Sequence, residues 1–408
     1  MNLLLLTPQL PYPPRQGTAI RNFNLIDQLA RRHTVDLLTF LAPDETLTAD
    51  NPLHAICRRV EALPQPQRST PARMRDTLQS AQPDMALRLA DAEMAARVRH
   101  FARTGGYDIV QAEGIEMAHY GLVATADGRA AFVFDDHNCE YVMQRRNALT
   151  DLRRPARWPA ALYSMAQWQK LRRYEAWLCK RADAVTAVSQ ADADALRAIA
   201  PQASIHVVSN GIDLDYYTPA TPQPTLNPTL VFTGKMDYRP NIDAVLWFAQ
   251  SVLPIIQRTT PEAHFLVVGR NPHPRLEPLR TRPGVTLTGA VDDVRPLIRD
   301  AAVYVIPLRV GGGTRFKALE AMAAARPIVS TNLGVEGLGV RDGREMLLAD
   351  DAEAFAAAVL KLLAPQSAHL RTQLSTHARR FVEDNSGWAP IVQGLEDLYT
   401  ELRQSAPH

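Results

Sequence analysis

Residues Pro307–Leu338 read PLRVGGGTRFKALEAMAAARPIVSTNLGVEGL: a strand end, the glycines Gly311, Gly312 and Gly313, a helix, and a second strand. Consecutive glycines allow positive φ and a close approach of the backbone to a ligand. The helix that follows turns its unpaired N–H groups and the positive end of its dipole toward the loop. A plain strand-to-helix turn would use the same glycines, so the neighbouring side chains decide. Thr314, Arg315 and Lys317 add two cations beside one helix N-terminus, an arrangement suited to a diphosphate. One turn on, Glu320 opens the helix-forming run EAMAAA, where a carboxylate suits a ribose diol. The segment has the makings of a sugar-nucleotide site.

On either side of this stretch, apolar runs alternate with helical periods. NLLLLT, a helix from Arg21 to Arg31 and TVDLLTF follow βαβ logic. Further strands are expected at IVQAEG, AFVFDD, AVTAVS and SIHVVS, and a second series at LVFTG, HFLVVG, VTLTG, VYVIPL, RPIVST and EMLLAD. The fold class is therefore α/β, with two Rossmann-like, doubly wound parallel-sheet domains facing a cleft. Periodicity is lost after Ser209, and four prolines lie between Pro219 and Pro228. The expected boundaries are 1–212 for the first domain, 213–228 for a linker, 229–380 for the second domain and 381–408 for a C-terminal helix. The stretch Pro64 to Asp84 is expected to be a polar surface loop followed by a helix. Asn210 and Gly211 suggest a turn tolerant of positive φ, with a hinge role.

Composition limits the function classes. At 408 residues with 46% hydrophobic content, two sizeable cores are affordable. A net charge of +2 argues against a nucleic-acid partner. Cys57, Cys139 and Cys179 make neither a paired framework nor a metal-ligand spacing, which suggests free thiols in a reducing compartment. The opening MNLLLLTPQLPYPP lacks a basic n-region and is broken by Pro8 and Pro11, so it is expected to be a buried strand. No apolar run is long enough to span a membrane. The expected localisation is cytoplasmic.

Several blocks, PQLPYPPRQGTAIRN, VSNGIDLDYY, FTGKMDYRPNIDA and LEAMAAARPIVST with NLGVEGL, resemble the retaining glycosyltransferases of the GT-B architecture, in glycosyltransferase family 4. The resemblance covers nearly the whole chain and is nearest to sugar transferases of bacterial exopolysaccharide systems. It implies transfer of a sugar from a nucleoside diphosphate sugar to a glycan or lipid-linked hydroxyl acceptor. It also implies no cofactor and no catalytic metal, the diphosphate charge being met by Arg, Lys and helix N-termini. In this architecture the C-terminal helix crosses back onto the first domain. Two other readings stay open: a sugar-nucleotide 2-epimerase, which shares the fold but needs no acceptor, and a catalytically inactive sugar-nucleotide-binding protein.

Candidate site residues follow from position and from the resemblance. Gly17 stands at a strand-to-helix turn where backbone can approach a phosphate, with Arg21 one turn inside the helix, either functional or simply solvated. His137 directly follows a strong β run, at the end of an open sheet where ligands bind. The resemblance places it near the transferred sugar, as a hydrogen-bonding group. Asp135, Asp136 and Glu140 crowd it, and Glu113 is expected to be a solvated loop carboxylate. In FTGKMDYRPN, the resemblance implies that Gly234 and Lys235 lie at the donor diphosphate; the lysine the family has five residues later is Pro240 here, leaving Arg315 or Lys317 to compensate, with Arg239 as an outside candidate. The family's pair of glutamates would begin at Gly312 and end at Glu320, so sugar recognition falls to backbone around Gly311 to Thr314. Gly289 to Val291 corresponds to the clamp on the base edge and Gly269 to the pocket floor; Asp292 and Asp293 look like helix caps.

Between Arg145 and Arg181 there are ten Lys or Arg residues and two acidic ones, Asp151 and Glu175. Trp158, Tyr163, Trp168, Tyr174 and Trp177 are interleaved with them. A basic, aromatic helix can lie on an anionic membrane surface, which would make the protein peripheral on the inner face of the plasma membrane; a solvated face over core aromatics is the alternative.

Overall fold

The structure, a computed structural model, describes residues 1–14, 17–43, 45–152, 155–219, 228–311 and 315–405. The chain divides into two compact units, Met1–Asn210 with Trp388–His408, and Gly211–Gly387.

The first unit holds seven strands: β1 (Asn2–Thr7), β2 (Thr34–Leu41), β3 (Arg59–Pro64), β4 (Ile109–Glu113), β5 (Ala131–Asp136), β6 (Ala184–Ala187) and β7 (Ile205–Val207). Their order is 3-2-1-4-5-6-7 with all neighbours parallel. A parallel sheet is covered on both faces by its crossover helices, so a central strand is apolar throughout rather than alternating. β1 shows this, with Leu3, Leu4, Leu5 and Leu6 all buried. The helix Gly17–Ala30 buries Ala19, Leu25, Ile26 and Leu29. Two of the unit's helices start where a side chain accepts a first-turn amide: Asp91 from Met94 and Ser189 from Asp192.

The second unit holds β8 (Thr229–Thr233), β9 (His264–Val268), β10 (Val285–Leu287), β11 (Val303–Ile306), β12 (Ile328–Ser330) and β13 (Leu347–Leu348). They form one parallel sheet in the order 10-9-8-11-12-13. Its core includes an aromatic cluster: the Phe248 ring lies tilted on Phe265 at 4.4 Å and meets Phe355 edge to face at 5.8 Å. In each sheet the strand order reverses beside the first strand, between β1 and β4 and between β8 and β11. Ligands of open α/β sheets bind at such a reversal, outside the carboxyl ends of the strands.

Four expectations change. β3 was not anticipated; it is an edge strand pinned through Arg58 and Arg59, each 2.7 Å from Asp36 of β2. Charged residues on an edge blunt its pairing and also mask its strand character in sequence. The single terminal helix is two, Ala368–Asn385 and Trp388–Ser405, broken at Ser386–Gly387, and only the second groups with the first unit. In the expected linker, Tyr217 is buried, while 220–227 lie outside the described residues. Asn210 and Gly211 flank the unit boundary, but neither takes a positive φ.

Candidate functional site

From the reversal of the second sheet out to its β10 edge, three neighbouring strands each end at a glycine. Gly234, Gly269 and Gly289 follow β8, β9 and β10, and the amides of Gly234 and Gly269 donate to Val268 O (3.0 Å) and Gly289 O (3.2 Å). A Cβ on Gly269 would stand 1.7 Å from the Gly234 carbonyl oxygen, so only glycine lets these backbones approach. Gly289 has φ +75° with open space around its Cα, so its requirement is conformational. Val291 is half-buried two residues on. Asp293 accepts the Arg295 amide at 2.9 Å just before the helix Arg295–Asp300, but Val294 holds the cap position with no side-chain cap bond, so neither Asp293 nor the exposed Asp292 is the cap expected of them.

Asn241, buried in the helix Arg239–Trp247, ties the β8 loop to the glycine-loop helix. Its Nδ2 donates to Lys235 O (2.9 Å) and its Oδ1 accepts from Lys317 Nζ (3.3 Å). Pro240 is buried in the first turn of the same helix, where its missing N–H is no loss. Gly311, with φ +98°, lies so close that a Cβ there would meet Pro240 Cγ at 2.6 Å. Where the resemblance leads one to expect a cation, the chain has a proline ring close against Gly311. Gly312, Gly313 and Thr314 lie outside the described residues.

The helix Phe316–Ala323 begins at Arg315, which adopts φ +53°. The Arg315 guanidinium is buried and pairs with Glu336, Nη2 to Oε2 at 3.1 Å, so it is a held ion pair and not an open cation. Lys317 lies 5.4 Å from the Phe232 ring. Burial pushes its ammonium down to about 8, with Arg315 acting in the same direction and Glu320 against it. Glu320 is pushed up to about 7 by burial, offset by Lys317 and by hydrogen bonds from the Tyr217 and Thr233 hydroxyls. Thr233 also meets the Tyr304 hydroxyl at 2.5 Å. Lys235 stands further out, exposed, with Nζ 3.4 Å from Asp237. Lys317, Glu320, Arg315, Gly311 and Gly234 are thus brought together by Asn241, Pro240, Tyr217 and Glu336. All four stand in the quoted blocks, yet none had been assigned a role in the site, Pro240 having been noted only as a missing cation.

In the first unit, His137 follows β5 and is 7% exposed, with Nδ1 lacking a hydrogen-bond partner. Burial, the leading cause, lowers its basicity, so the ring is neutral at neutral pH. Its Cε1 would lie 2.9 Å from a Cβ on Gly114, and it lines a cavity of about 360 Å³ with Thr18, Gln65, Arg88, Glu116 and Asn138. Gly17 opens the helix that carries Thr18.

Arg21 is not solvated. It is 1% exposed and grips Asp135 through Nε to Oδ2 (2.8 Å) and Nη2 to Oδ1 (3.1 Å), with Nη1 donating to Val208 O, Ser209 O and Asn210 Oδ1. Glu113 is likewise buried, correcting the expectation of a solvated carboxylate. Burial and the adjacent Asp135 hold its carboxyl protonated well above the usual range. Glu113, Asp135 and His137 offer three ligand atoms within 4.8 Å of one another. Asp135, however, already accepts from Arg21 and from Thr186 Oγ1 at 2.7 Å, so its lone pairs serve the fold.

Residues 15–216 match the Glycosyltransferase Family 4 model and residues 227–365 the Glycosyl transferases group 1 model. A phosphatidyl-myo-inositol mannosyltransferase of Mycobacterium leprae is 31% identical over 169 residues, 38% of this chain and 43% of that protein. The chain thus spans less than half the length of this curated relative. Among solved structures, sucrose-phosphate synthase (tll1590) from Thermosynechococcus elongatus superposes with a TM-score of 0.75 at 18% identity, covering 99% of this chain and 100% of that one. Anabaena Alr3699/HepE in complex with UDP and glucose does so at 0.64 and 16% identity, covering 97% and 99%. At these identities the likeness is one of fold. The two models between them take in a large part of both units, and this chain belongs to the group 1, family 4 glycosyltransferases, with their two-sheet GT-B fold.

Proposed function

We propose that the protein transfers a sugar from a nucleoside diphosphate sugar to a hydroxyl of a glycan or lipid-linked acceptor, with retention of anomeric configuration. The observation that carries this reading is the set Arg315, Lys317 and Glu320 at one helix N-terminus, at the reversal of the second sheet. There Lys317, the paired Arg315 and helix amides would meet the charge that grows on the leaving diphosphate oxygen as the sugar C–O bond breaks. The acceptor oxygen bonds the anomeric carbon from the same face, and its proton passes to the departing diphosphate. Glu320 would accept from the ribose hydroxyls, and the neutral His137 is suited to hydrogen-bond a sugar hydroxyl. No metal or cofactor is assigned a step, so activity should persist in a chelator. The sequence blocks suggest exopolysaccharide or other cell-surface glycan assembly, and no described helix is long and apolar enough to cross a membrane. On this reading the enzyme is cytoplasmic, where sugar nucleotides are made, and peripheral on the inner membrane face.

A thermal-shift screen against UDP, GDP, ADP, dTDP and their sugars identifies the donor, since a ligand bound only by the folded state raises stability by mass action. Uridine nucleotides come first, given the HepE neighbour. Labelled donor is then incubated with and without acceptors. Acceptor-dependent product supports transfer; acceptor-independent release of an epimer, or binding with no product, would replace the reading with an epimerase or a binding protein.

A further inference from the structure

Most of the large apolar side chains exposed in the described structure fall in one stretch. Leu149 (51%), Trp158 (56%) and Leu162 (66%) lead, joined by Leu152, Met165 and Trp177. They belong to two consecutive helices, Glu140–Leu152 and Trp158–Cys179, which pack on each other. Their adjoining ends are tied by the Trp158 indole N–H, which donates to Leu152 O at 3.2 Å. Leu149, Leu152, Trp158 and Leu162 therefore crowd one end of the pair.

The second helix already has an inward stripe, with Leu171, Tyr174, Leu178 and Cys179 in the core of the unit. Its outer face would be polar on an ordinary surface helix. Instead that face runs Trp158, Leu162, Met165, then Arg172, Arg173, Trp177 and Lys180, all exposed. Both acidic residues of the stretch are buried: Asp151 lies 3.6 Å from Arg157, and Glu175 accepts the amides of Glu140 (2.7 Å) and Tyr141 (2.9 Å). The exposed charge between Arg145 and Arg181 is entirely positive. Two copies of such a face would repel each other, whereas an anionic surface with an apolar interior satisfies both halves of it.

We infer that this helix pair docks on the anionic surface of a lipid bilayer. Trp158 and Leu162 enter the acyl boundary while Arg172, Arg173 and Lys180 meet the headgroups. The inference gives a surface to the peripheral placement above and is measured without donor, so it can fail while the transferase reading stands.

The test is co-sedimentation of the full chain with phosphatidylcholine vesicles, with and without phosphatidylglycerol, at low and high salt. Binding is expected only with phosphatidylglycerol, weakening as salt screens the charges. The double variant Arg172→Gln, Arg173→Gln should lower the partition coefficient about 25-fold, roughly fivefold per charge. Leu162→Ser should weaken binding at every salt concentration. A blue shift of tryptophan emission on binding should shrink in Trp158→Phe, which still sediments, Trp177 on the same face supplying the remainder. All three variants change exposed side chains, so donor-induced thermal shift should not move, and melting temperature should fall at most slightly, in Trp158→Phe, which loses its bond to Leu152 O. Negligible sedimentation of the wild type at low salt overturns the inference. So does equal binding by Leu162→Ser, or a concentration-dependent dimer that Leu162→Ser abolishes without vesicle binding, which would give the face to a second copy.

Discussion

Lys317 and Glu320 stand three residues apart on one helix, each shifted toward neutrality by burial, to about 8 and about 7. On the proposed function, the donor needs Lys317 charged, which is lost as pH rises through about 8, and Glu320 ionised, which is lost as pH falls through about 7. Donor affinity should therefore be highest between these values. Calorimetric titration across pH checks this, with Glu320→Gln flattening the acid limb and Lys317→Arg extending the alkaline one. Glu320→Ala should weaken donor binding by about 1–3 kcal/mol, since ribose hydroxyls lose a charged acceptor; unchanged affinity in a folded variant would remove Glu320 from the site. Loss of either Lys317 or Arg315 should reduce kcat/KM roughly tenfold to a thousandfold, and loss of Arg239 less. Because Arg315→Ala also strips Glu336 of its partner, the pair needs a double-mutant cycle with Glu336→Gln. Lys317 and Glu320 could be recognised in sequence because they follow the glycines within one contiguous motif. Asn241 and Tyr217 could not, because chain folding alone brings them to Lys317 and Glu320.

The glycines at the strand ends of the second sheet, Gly269 and Gly311, make contacts that a side chain would forbid. Gly269→Ala would drive a methyl against the Gly234 carbonyl, and backbone cannot rotate away as a flexible side chain can. A loss of about 2–4 kcal/mol is expected from overpacking, read from the denaturation midpoint of the second unit. Gly311→Ala combines positive φ with a collision at Pro240. It should cost about 1–2 kcal/mol from backbone strain, and should lower donor affinity more than stability. If both variants melt and bind donor as wild type, the strand ends are looser than described. Strands with continuous apolar runs were legible because a parallel sheet demands them, which is why NLLLLT could be placed at once. β3 was not, since RVEALP carries charge on an edge strand, and the partners of that charge, Asp36 and Tyr107 for Arg59 and Arg97 for Glu61, come from elsewhere in the chain.

Across the whole molecule, the last helix, Trp388–Ser405, groups with the strands nearest the N-terminus. It buries Trp388, Val392, Leu395, Leu398 and Tyr399, and the Tyr399 hydroxyl donates to Gln111 of β4. Glu396 accepts from His33 Nε2 at 3.0 Å. Five such side chains at about 1.5–3 kcal/mol each amount to about 8–15 kcal/mol, as much as a domain's entire net stability. A chain ending at Gly387 should therefore lose the cooperative melting of the first unit and keep that of the second, as scanning calorimetry would show; two unaltered transitions would refute this. By itself the sequence determined the two parallel sheets, the glycine loop with its cations and glutamate, and the family, because each is written in local periodicity or in a contiguous motif. Tertiary structure alone decided that Arg21 and Glu113 are buried against Asp135, that Arg315 is held by Glu336, and that Pro240 lies close against Gly311. Charge and hydrogen-bonding partners are chosen by proximity in space, and each of these partners is supplied by a different strand, loop or helix of the fold.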